Sequence, residues 1–485
     1  MKNCKIIIKD EVNVKIEGLD LAERKALMKM FEYEVPGARY LPSVRLGRWN
    51  GKVSYFSLGG STFINLLDKI LPVVDNAGYD IELEDLRETV HSFNFTQVSE
   101  DTFADKVWPK GHPMAGQPIL LRDYQIEIVN GFLTNPQSIQ EVATGAGKTI
   151  MTATLSKSVE EYGRSIVIVP NKSLVVQTEA DYVNLGLDVG VYFGDRKELG
   201  HKHTICTWQS LNYIIKTREE LSSQEKMDSF MQDLVCVIID EVHQAKADVL
   251  KTMLTGLFAH VPIRWGLTGT IPKEQFASQS LFVSIGPVIN KLSASQLQEK
   301  GVLAQCHVNI LQLKDDVEFT NYQSELKHLL EDKKRLDTIA QLILNVKESG
   351  NTLVLVDRVN AGKELIDRMP ESVFISGETK LTERKEEYDE IATSDKKIIV
   401  ATYGVAAVGI NIPRIFNLVL IEPGKSFVRV IQSIGRGIRK AEDKDFVQIW
   451  DITSSCKFAK RHLTQRKAFY KEAEYPFSVE KLEYK

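Results

Sequence analysis

The segment SIQEVATGAGKTIMTATLSKSVEEY (138–162) decides the fold of this chain. Its first five residues are typical of a strand, residues 147–162 predict a helix, and TGAGKT (144–149) joins the two. The glycines allow successive backbone N–H groups to turn toward a phosphate, and the helix N-terminus adds its dipole. The segment therefore predicts a phosphate-binding loop that consists of Thr144, Gly145, Ala146, Gly147, Lys148 and Thr149.

The side chains of this loop indicate which ligand it takes. Lys148 can reach the β- and γ-phosphates of ATP, and the hydroxyl of Thr149 can bind Mg²⁺. One position departs from the Walker consensus, because Val142 stands where that consensus has glycine. ATP and Mg²⁺ are thus the predicted cofactors.

Two series of short β-branched runs, separated by helical stretches, surround the loop. The first series is SIVIVP (165–170), HTICTW (203–208), LVCVIID (234–240) and IRWGLT (263–268), and the second is TLVLVD (352–357), VFIS (373–376), KIIVAT (397–402), LVLIEP (418–423) and VQIWDI (447–452). Such runs are typical of parallel strands that are covered on both faces. The fold class predicted is α/β, with two doubly wound parallel-sheet domains whose ligands lie at the carboxyl ends of the strands.

The remaining sequence predicts the domain order. Residues 1–88 form a small α+β domain with a strand pair in KIIIKDEVNVKIEG (5–18), a helix in LAERKALMKMFEYE (21–34) and a strand in KVSYFSL (52–58). Polar and Pro/Gly-rich sequence at 89–117 is predicted to be a linker. The two sheet domains are then predicted to occupy 118–287 and 288–485.

Two adjacent carboxylates follow the strand-like run LVCVIID. Asp240 is predicted to hold Mg²⁺, and Glu241 to polarise the attacking water. An Asp-Glu pair after a strand is a weak signal alone, but it becomes a strong one downstream of a phosphate-loop lysine. His243 is either a structural histidine or a residue that links the nucleotide state to the neighbouring domain.

The segment QSIGRGIR (432–439) carries a third candidate group. Arg429, Gln432, Arg436 and Arg439 step by 3, 4 and 3, which predicts one face of a helix. That face is either a solvated basic surface or a set of arginines aimed at a γ-phosphate. Gly435 and Gly437 are poor helix formers and indicate close approach to another surface.

Composition excludes several classes of protein. The chain has 485 residues, 43% hydrophobic and 26% charged, which excludes a mainly disordered chain. No apolar run approaches a membrane span, and the N-terminus is too charged for a signal peptide. The five cysteines form no CxxC pair, which argues against a zinc site and favours a reducing, cytoplasmic location.

The net charge of −4 does not indicate a nucleic-acid partner, but the charge distribution does. Residues 35–67 contain no acid, four basic residues (Arg39, Arg45, Arg48 and Lys52) and five aromatics (Tyr40, Trp49, Tyr55, Phe56 and Phe63). Basic residues can neutralise phosphates, and an aromatic such as Trp49 can stack on a base or wedge at a junction. The alternative is that Trp49, Tyr55 and Phe56 are the core of a small sheet.

Taken in order, these segments resemble the motifs of superfamily 2 helicases over residues 118–455. The matching segments are LRDYQ (121–125), VATGAGKT (142–149), IVPNKSLVVQ (168–177), TWQSL (207–211), DEVH (240–243), LTGT (267–270), LVLVDRV (353–359), ATYGVAAVGINIP (401–413) and QSIGRGIR (432–439). The resemblance implies two RecA-like domains that bind ATP between them. It implies adenine or nucleotide contacts for Arg122, Gln125 and Gly409, and catalytic roles for Gln432, Arg436 and Arg439 beside Lys148, Asp240 and Glu241.

The same resemblance implies a nucleic-acid track across the two domains. Its residues would be Asn171, Lys172, Thr207, Gln209, Arg358 and Thr402. Because the second acidic motif reads DEVH, it does not by itself select RNA or DNA.

Within the superfamily the chain resembles the UvsW-like phage recombination helicases. The segment RLGRWNGKV (45–53), Trp208-Gln209, SGE (376–378) and YGV (403–405) carry this closer resemblance. It implies a monomeric DNA helicase, in the host cytoplasm if phage-encoded, that remodels forks, Holliday junctions, R-loops and D-loops in recombination, repair and replication. Arg45, Arg48, Trp49 and Lys52 would contact branched DNA. RNA–DNA hybrids and recombination or replication proteins are further implied partners.

Two alternatives to this function remain open from the sequence. One is a double-stranded-DNA translocase or RNA helicase with the same motor. The other is an ATP-gated binding module without catalysis, against which the complete set of Lys148, Glu241, Arg436 and Arg439 argues.

Overall fold

A computed structural model of the chain describes residues 2–110, 112, 114–217, 228–242, 247–409, 412, 414–426, 430, 434–435, 437–441 and 443–484. The chain forms two compact units. The first consists of residues 1–110, 115–141 and 148–291, and the second mainly of 142–147 and 292–485. No helix in these ranges is long and apolar enough to span a bilayer. The domain boundaries at 88, 117 and 287 stay predictions.

The first unit begins with a small α+β region. Its strands are β1 (Lys2–Ile8), β2 (Asn13–Glu17), β3 (Glu32–Glu34), β4 (Lys52–Ser54), β5 (Ser61–Phe63) and β6 (Tyr79–Asp85), and its helices are α1 (Leu21–Met30), α2 (Pro42–Arg45) and α3 (Leu67–Asn76). Four strands form a sheet in the order β5-β2-β1-β6, in which β1 and β2 are the predicted strand pair and run antiparallel. Alternate residues of β1 are buried, because successive side chains of a strand point to opposite faces.

Two element boundaries in this region differ from the sequence prediction. The helix predicted over 21–34 ends at Met30, and β3 pairs antiparallel with β4. The helix ends because the residues after Phe31 form β3, and Phe31 itself is the buried C-cap. The strand predicted over 52–58 ends at Ser54, since the Ser57 and Gly60 amides make turn hydrogen bonds instead.

The rest of the first unit is an α/β domain. Its strands are β7 (Phe103–Val107), β8 (Pro118–Ile119), β9 (Gln137–Val142), β10 (Arg164–Val169), β11 (Val189–Phe193), β12 (Arg196–Lys197), β13 (His203–Thr207), β14 (Leu234–Asp240), β15 (Ile263–Thr268) and β16 (Val288–Leu292). Its helices are α4 (Asp123–Leu133), α5 (Lys148–Val159), α6 (Lys172–Asn184), α7 (Trp208–Lys216), α8 (Ala247–Thr255) and α9 (Gln275–Ser284). The main sheet has the order β12-β11-β13-β10-β14-β15-β9-β16.

The central strands of this sheet are parallel, and β10, β13 and β15 are buried at every residue. Continuous burial explains why the sequence predicted them as unbroken apolar runs. The segment predicted as a linker is partly ordered, since β7 pairs with β8 and Phe103 is fully buried.

The N-terminal α+β region packs against α9 of the same unit. Phe276 and Val283 of this helix belong to the hydrophobic core of the N-terminal region. The hydroxyl of Tyr55 lies 2.5 Å from Ser280 Oγ, and Asn65 Nδ2 donates to the Phe282 carbonyl at 2.9 Å. Removal of residues 1–88 would therefore expose apolar surface on α9, so point substitutions test this region more cleanly than a deletion.

The second unit is another parallel α/β domain. Its strands are β17 (Gln305–Leu313), β18 (Thr352–Val356), β19 (Ser372–Ile375), β20 (Ile398–Thr402), β21 (Asn417–Ile421), β22 (Phe446–Ser454) and β23 (Phe477–Leu482). Its helices are α10 (Ala294–Glu299), α11 (Tyr322–Glu331), α12 (Lys333–Val346), α13 (Val359–Arg368), α14 (Leu381–Thr393), α15 (Tyr403–Gly409) and α16 (Lys457–Glu472). The sheet order is β19-β20-β18-β21-β22-β17-β23, with parallel pairs throughout. The predicted fold class is thus confirmed.

A buried ion pair fastens α16 to this sheet. Arg466 and Asp451 are both fully buried, and the guanidinium donates two hydrogen bonds to the carboxylate, at 2.8 and 2.9 Å. The Tyr470 hydroxyl donates a third, at 2.6 Å. Removing one partner would leave the other as an uncompensated charge in the interior.

Arg466→Met is therefore expected to destabilise the second unit by about 3–5 kcal/mol, because Asp451 would lose its bidentate partner. Scanning calorimetry of the full chain measures the effect as a lower transition temperature. Arg461→Met is the matched control, since Arg461 lies on the same helix but is exposed. Equal transition temperatures for the two variants would contradict the prediction.

Candidate nucleotide and nucleic-acid sites

The loop that joins β9 to α5 has the backbone geometry predicted from its glycines. Gly145 and Gly147 have φ values of 93° and 84°, in the left-handed region that side chains disfavour. α5 begins at Lys148, so its first N–H groups and its dipole face the loop. This arrangement fits a phosphate group.

The oxygen ligands predicted for Mg²⁺ occur at two adjacent elements. Thr149 is the second residue of α5, and Asp240 is the last residue of β14. A hydroxyl and a carboxylate are ligands that Mg²⁺ accepts, with the remaining positions taken by phosphate and water. Within the described ranges, no group of three or more acidic, histidine or cysteine side chains offers a protein-only metal cage.

Glu241 connects three elements of the site. Its Oε1 lies 2.8 Å from Lys148 Nζ, and both side chains are less than a tenth exposed. Its Oε2 accepts a hydrogen bond from the Gly269 N–H at 3.2 Å, in the segment LTGT. Glu241 also has a φ of 52°, which is rare for a side-chain-bearing residue and indicates a functional constraint on the backbone. The neighbouring His243 lies outside the described residues, so its role stays a prediction.

Glu241→Gln is expected to lower the maximal rate of ATP hydrolysis by about 100-fold while ATP still binds, because the amide keeps the shape but cannot act as a base. Steady-state turnover together with binding of a fluorescent ATP analogue measures both quantities. Turnover within a few-fold of the parent chain would show that Glu241 is not the catalytic carboxylate.

The residues predicted to contact adenine lie at the start of α4. Gln125 is buried, and its Oε1 accepts a hydrogen bond from the Arg122 N–H at 2.9 Å. The exposed Arg122 side chain donates to the Tyr124 hydroxyl at 2.9 Å. The structure thus gives Gln125 a capping role at the helix N-terminus, and its contact with adenine stays a prediction.

The glycines of the segment QSIGRGIR do approach other surfaces, as predicted. The second unit includes the loop 142–147. A Cβ at Gly435 would lie 3.0 Å from Thr144 Cβ, and one at Gly437 would lie 2.9 Å from a Leu418 methyl carbon. Gly409, which is predicted to contact the nucleotide, ends α15.

Arg439 is not on the predicted helix face. It forms an isolated β-bridge with Leu303, because the chain has left the helix by this residue. Its Cγ lies 3.9 Å from the position that a Cβ at Gly145 would occupy, which places the side chain beside the phosphate loop. Burial, followed by the charge of Arg439, lowers the pKa of Lys444 to about 7. Arg429, Gln432 and Arg436 lie outside the described residues, so their roles stay predictions.

Four predicted nucleic-acid residues meet at one edge of the first sheet. Asn171 and Lys172 follow β10, Thr207 ends β13, and the two strands are neighbours with Val169 opposite Thr207. Lys172 and Gln209 are exposed. The other two side chains cap helices, since Asn171 Oδ1 accepts from the Leu174 N–H and Thr207 Oγ1 from the Ser210 N–H.

Arg358 and Thr402 meet in the same way at the second sheet. Arg358 comes two residues after Val356, which lies opposite Thr402 in the β18–β20 pair. The Arg358 guanidinium donates to Gln323 Oε1 at 3.3 Å. The structure therefore brings each predicted set together, although their contact with nucleic acid stays a prediction.

The N-terminal region separates its candidate residues into core and surface. Tyr55 and Phe56 are buried and belong to the core. Trp49 is half-buried, and its indole N–H donates to the Lys52 carbonyl at 2.9 Å. Arg45 and Arg48 are exposed, whereas Lys52 pairs with Glu32 at 3.2 Å.

Two large side chains on this surface were not among the predicted site residues. Tyr40 is 60% exposed and Leu46 is 65% exposed, although both are largely apolar. Their position among the arginines of the acid-free segment was the available signal. Both are more accessible to a nucleic-acid base than Trp49 is.

Comparison with known proteins identifies the family of the chain. Residues 118–273 match the family described as type III restriction enzyme, res subunit, and residues 334–441 match the helicase conserved C-terminal domain. Together with the relatives below, these matches establish that the chain is an ATP-dependent helicase of superfamily 2. The alternative of a binding module without catalysis is therefore not supported.

Several characterised helicases are similar to the chain. The ATP-dependent DNA helicase UvsW of Enterobacteria phage T4 is 26% identical over 456 residues, covering 88% of this chain and 86% of UvsW. The XPB helicase/translocase subunit of the general transcription and DNA repair factor IIH from Schizosaccharomyces pombe is 22% identical, covering 82% of this chain and 54% of that protein.

Two solved structures align with the chain, and the first of them shares its fold. The type ISP restriction-modification enzyme LlaBIII bound to DNA aligns with a TM-score of 0.57 at 15% identity, over 86% of this chain and 36% of that one. The crystal structure of T4 UvsW aligns over 99% of both chains at 21% identity, with a TM-score of 0.47.

Proposed function

We propose that this helicase hydrolyses ATP to remodel branched DNA, such as forks, four-way junctions and R-loops. The observation that carries the proposal is the exposed pair Arg45 and Arg48 in an acid-free segment of a region that packs against the motor. The similarity to a phage DNA helicase over 88% of the chain supports the same substrate class.

The ATP site would work by an exchange of ionic partners. When ATP binds, its phosphates would replace Glu241 as the partner of Lys148, because both compete for the same ammonium group. Glu241 would then be available to orient the attacking water. Mg²⁺ held by Thr149 and Asp240 would neutralise charge on the phosphates.

The arginines of the second domain would act in the transition state. Arg436 and Arg439 would stabilise charge on the transferred phosphate group. Hydrolysis and release would move the two domains along a strand that contacts Asn171, Lys172 and Gln209 in one unit and Arg358 and Thr402 in the other. Each cycle would thus couple ATP turnover to a step on nucleic acid.

A panel of labelled substrates tests the proposed function. Unwinding of a Y-fork, a four-way junction, an R-loop and a plain duplex is measured under one salt condition, because backbone contacts make affinity salt-dependent. We expect the branched substrates to be processed and the plain duplex to be left intact. Equal rates on plain duplex and junctions would contradict the assignment.

Arg45→Glu with Arg48→Glu is expected to weaken junction binding about tenfold and to reduce the salt slope by about one unit for each phosphate that is no longer neutralised. The measured quantity is the ratio of junction to linear-duplex affinity at fixed salt. Lys25→Glu with Lys29→Glu is the matched control, since both lysines are exposed on α1 of the same region. If the ratio is the same in parent, control and variant, branch recognition must come from the motor domains.

A second candidate function is translocation on duplex DNA without strand separation. The similarity to the XPB helicase/translocase subunit favours it. Displacement of a third strand from a DNA triplex, without unwinding of the fork, would support this candidate. Unwinding of an RNA duplex in preference to DNA would instead support an RNA helicase with the same motor.

A further inference from the structure

The start of α16 carries a concentration of positive charge that the helicase motifs do not account for. Residues 452–471 contain no acidic residue and six Lys or Arg residues. Arg466 is held in the buried pair with Asp451. Lys457, Lys460 and Arg461, in the first two turns, are exposed.

This charge lies at the end of the helix where cations are least stable. The N-terminus of a helix has a partial positive charge, so basic side chains there cost free energy. A buried carboxylate offsets the cost, because Glu325 accepts hydrogen bonds from the N–H groups of Phe458 and Ala459 at 3.0 and 2.6 Å. The fold thus maintains a basic helix start that intrinsic propensity would not favour.

Further basic and aromatic residues surround this helix start. Tyr322 lies 4.8 Å from the His462 ring and 6.4 Å from the Phe458 ring, measured between centroids. Burial, followed by the charges of Arg466, Lys425 and Arg461, lowers the pKa of His462 to about 4. Arg466 of α16 also donates to the Gly424 carbonyl at 2.8 Å, so Lys425, the next residue, lies beside this helix although it comes from a different element.

The cations of this cluster have no carboxylate partner in the described part of the chain. Within the described residues Lys425, Lys457 and Arg461 form no ion pair, whereas Arg358 lies 4.0 Å from Glu331 Oε1. Acidic residues limit the cluster on one side, since Asp316 and Glu318 flank Val317, whose carbonyl lies 3.3 Å from Cys456 Sγ. The cluster therefore fits an anionic ligand.

The cluster is continuous with the predicted nucleic-acid residues of the second sheet. β18, β21 and β22 are parallel neighbours, so the segments that follow them lie at one edge. Arg358 follows β18 and contacts Gln323, which is adjacent to Tyr322. A strand held at Arg358 would reach the α16 cluster without leaving this edge.

We propose that Lys425, Lys457 and Arg461, with Tyr322 beside them, form a binding site for the phosphate backbone of the single strand that passes Arg358. We call these four residues the α16 patch. The proposal rests on the helicase class of the chain and not on its preference for branched DNA. The α16 patch would extend the contact of the second unit with the strand and reduce dissociation during stepping.

The test uses the full chain and a fluorescein-labelled single-stranded oligonucleotide, with binding followed by anisotropy at several salt concentrations. Lys457→Glu with Arg461→Glu is expected to weaken binding at least about tenfold and to reduce the salt slope by about 1.4, or about 0.7 per contact. Lys467→Glu with Lys471→Glu is the matched control, because it reverses the same number of charges on the same helix. Each control residue lies ten residues, or about 15 Å, beyond its counterpart in the α16 patch. Lys425→Glu, on another element, is expected to weaken binding in the same direction.

Three outcomes would overturn the proposal. The first is an unchanged affinity and salt slope in Lys457→Glu with Arg461→Glu. The second is an equal loss of affinity in the control Lys467→Glu with Lys471→Glu. The third is a loss of affinity for a duplex probe but not for the single strand. ATP turnover without nucleic acid and the unfolding temperature verify that the variants are folded. This binding test is independent of the unwinding panel that tests the proposed function. A chain that unwinds no branched DNA can still bind a single strand through the α16 patch.

Discussion

Lys148→Ala is expected to lower the maximal rate of ATP turnover by about 10³-fold, because it removes the positive charge that the developing phosphate charge requires. Binding to single-stranded DNA should stay within a few-fold of the parent chain, since the proposed nucleic-acid contacts come from other loops. Steady-state turnover and anisotropy measure the two effects. Lys157→Ala is the matched control, because Lys157 lies on the same helix and donates to the Thr102 carbonyl.

The ion pair seen in the structure adds a second consequence. Without Lys148, the buried Glu241 carboxylate loses the ammonium group 2.8 Å away, and an uncompensated buried charge is unfavourable. The single variant should therefore also unfold at a lower temperature. Lys148→Ala combined with Glu241→Gln should regain part of this stability while ATP turnover stays low.

These two readouts separate chemistry from folding. Normal turnover in Lys148→Ala would reject the assignment of the phosphate loop. A variant that loses turnover and stability together, and regains both in the double variant, would show that the loss of turnover came from misfolding.

The parallel strands were predictable because their burial is continuous. β10 and β18, for example, are buried at every residue, and such strands appear in the sequence as unbroken β-branched runs. β17 was missed although it lies in the same sheet as β18. Its sequence, QCHVNILQL, alternates polar and apolar residues over its first half, as does its burial. A search for unbroken runs does not find this pattern.

The phosphate loop was predictable for a different reason. Its geometry depends on the φ angles of Gly145 and Gly147, which is a local property that the residue type reveals directly. The ion pair between Lys148 and Glu241 was not predictable, because the two residues are far apart in the sequence. They meet only because of the order in which the strands are arranged in the sheet. The same limit applied to Tyr55, which is buried against α9, and to Trp49, whose indole N–H donates to the Lys52 carbonyl.

Arg439→Ala is expected to lower the maximal rate of ATP hydrolysis by about 10³-fold with little change in the Michaelis constant for ATP. An arginine that acts on the transition state contributes on this order, whereas it contributes little to binding of the ground state. The location supports this role, because Arg439 Cγ lies beside Gly145 of the phosphate loop. Steady-state kinetics at saturating single-stranded DNA measure both constants.

Arg439→Lys is the informative companion variant. Lysine keeps the positive charge but lacks the planar fork of the guanidinium, so most of the loss should persist if bidentate contact is required. The β-bridge to Leu303 uses the backbone and should survive both substitutions, which the unfolding temperature verifies. If the alanine variant instead loses affinity for ATP and keeps its maximal rate, Arg439 binds the ground-state nucleotide, and the transition-state role would have to pass to another arginine of the segment 432–439.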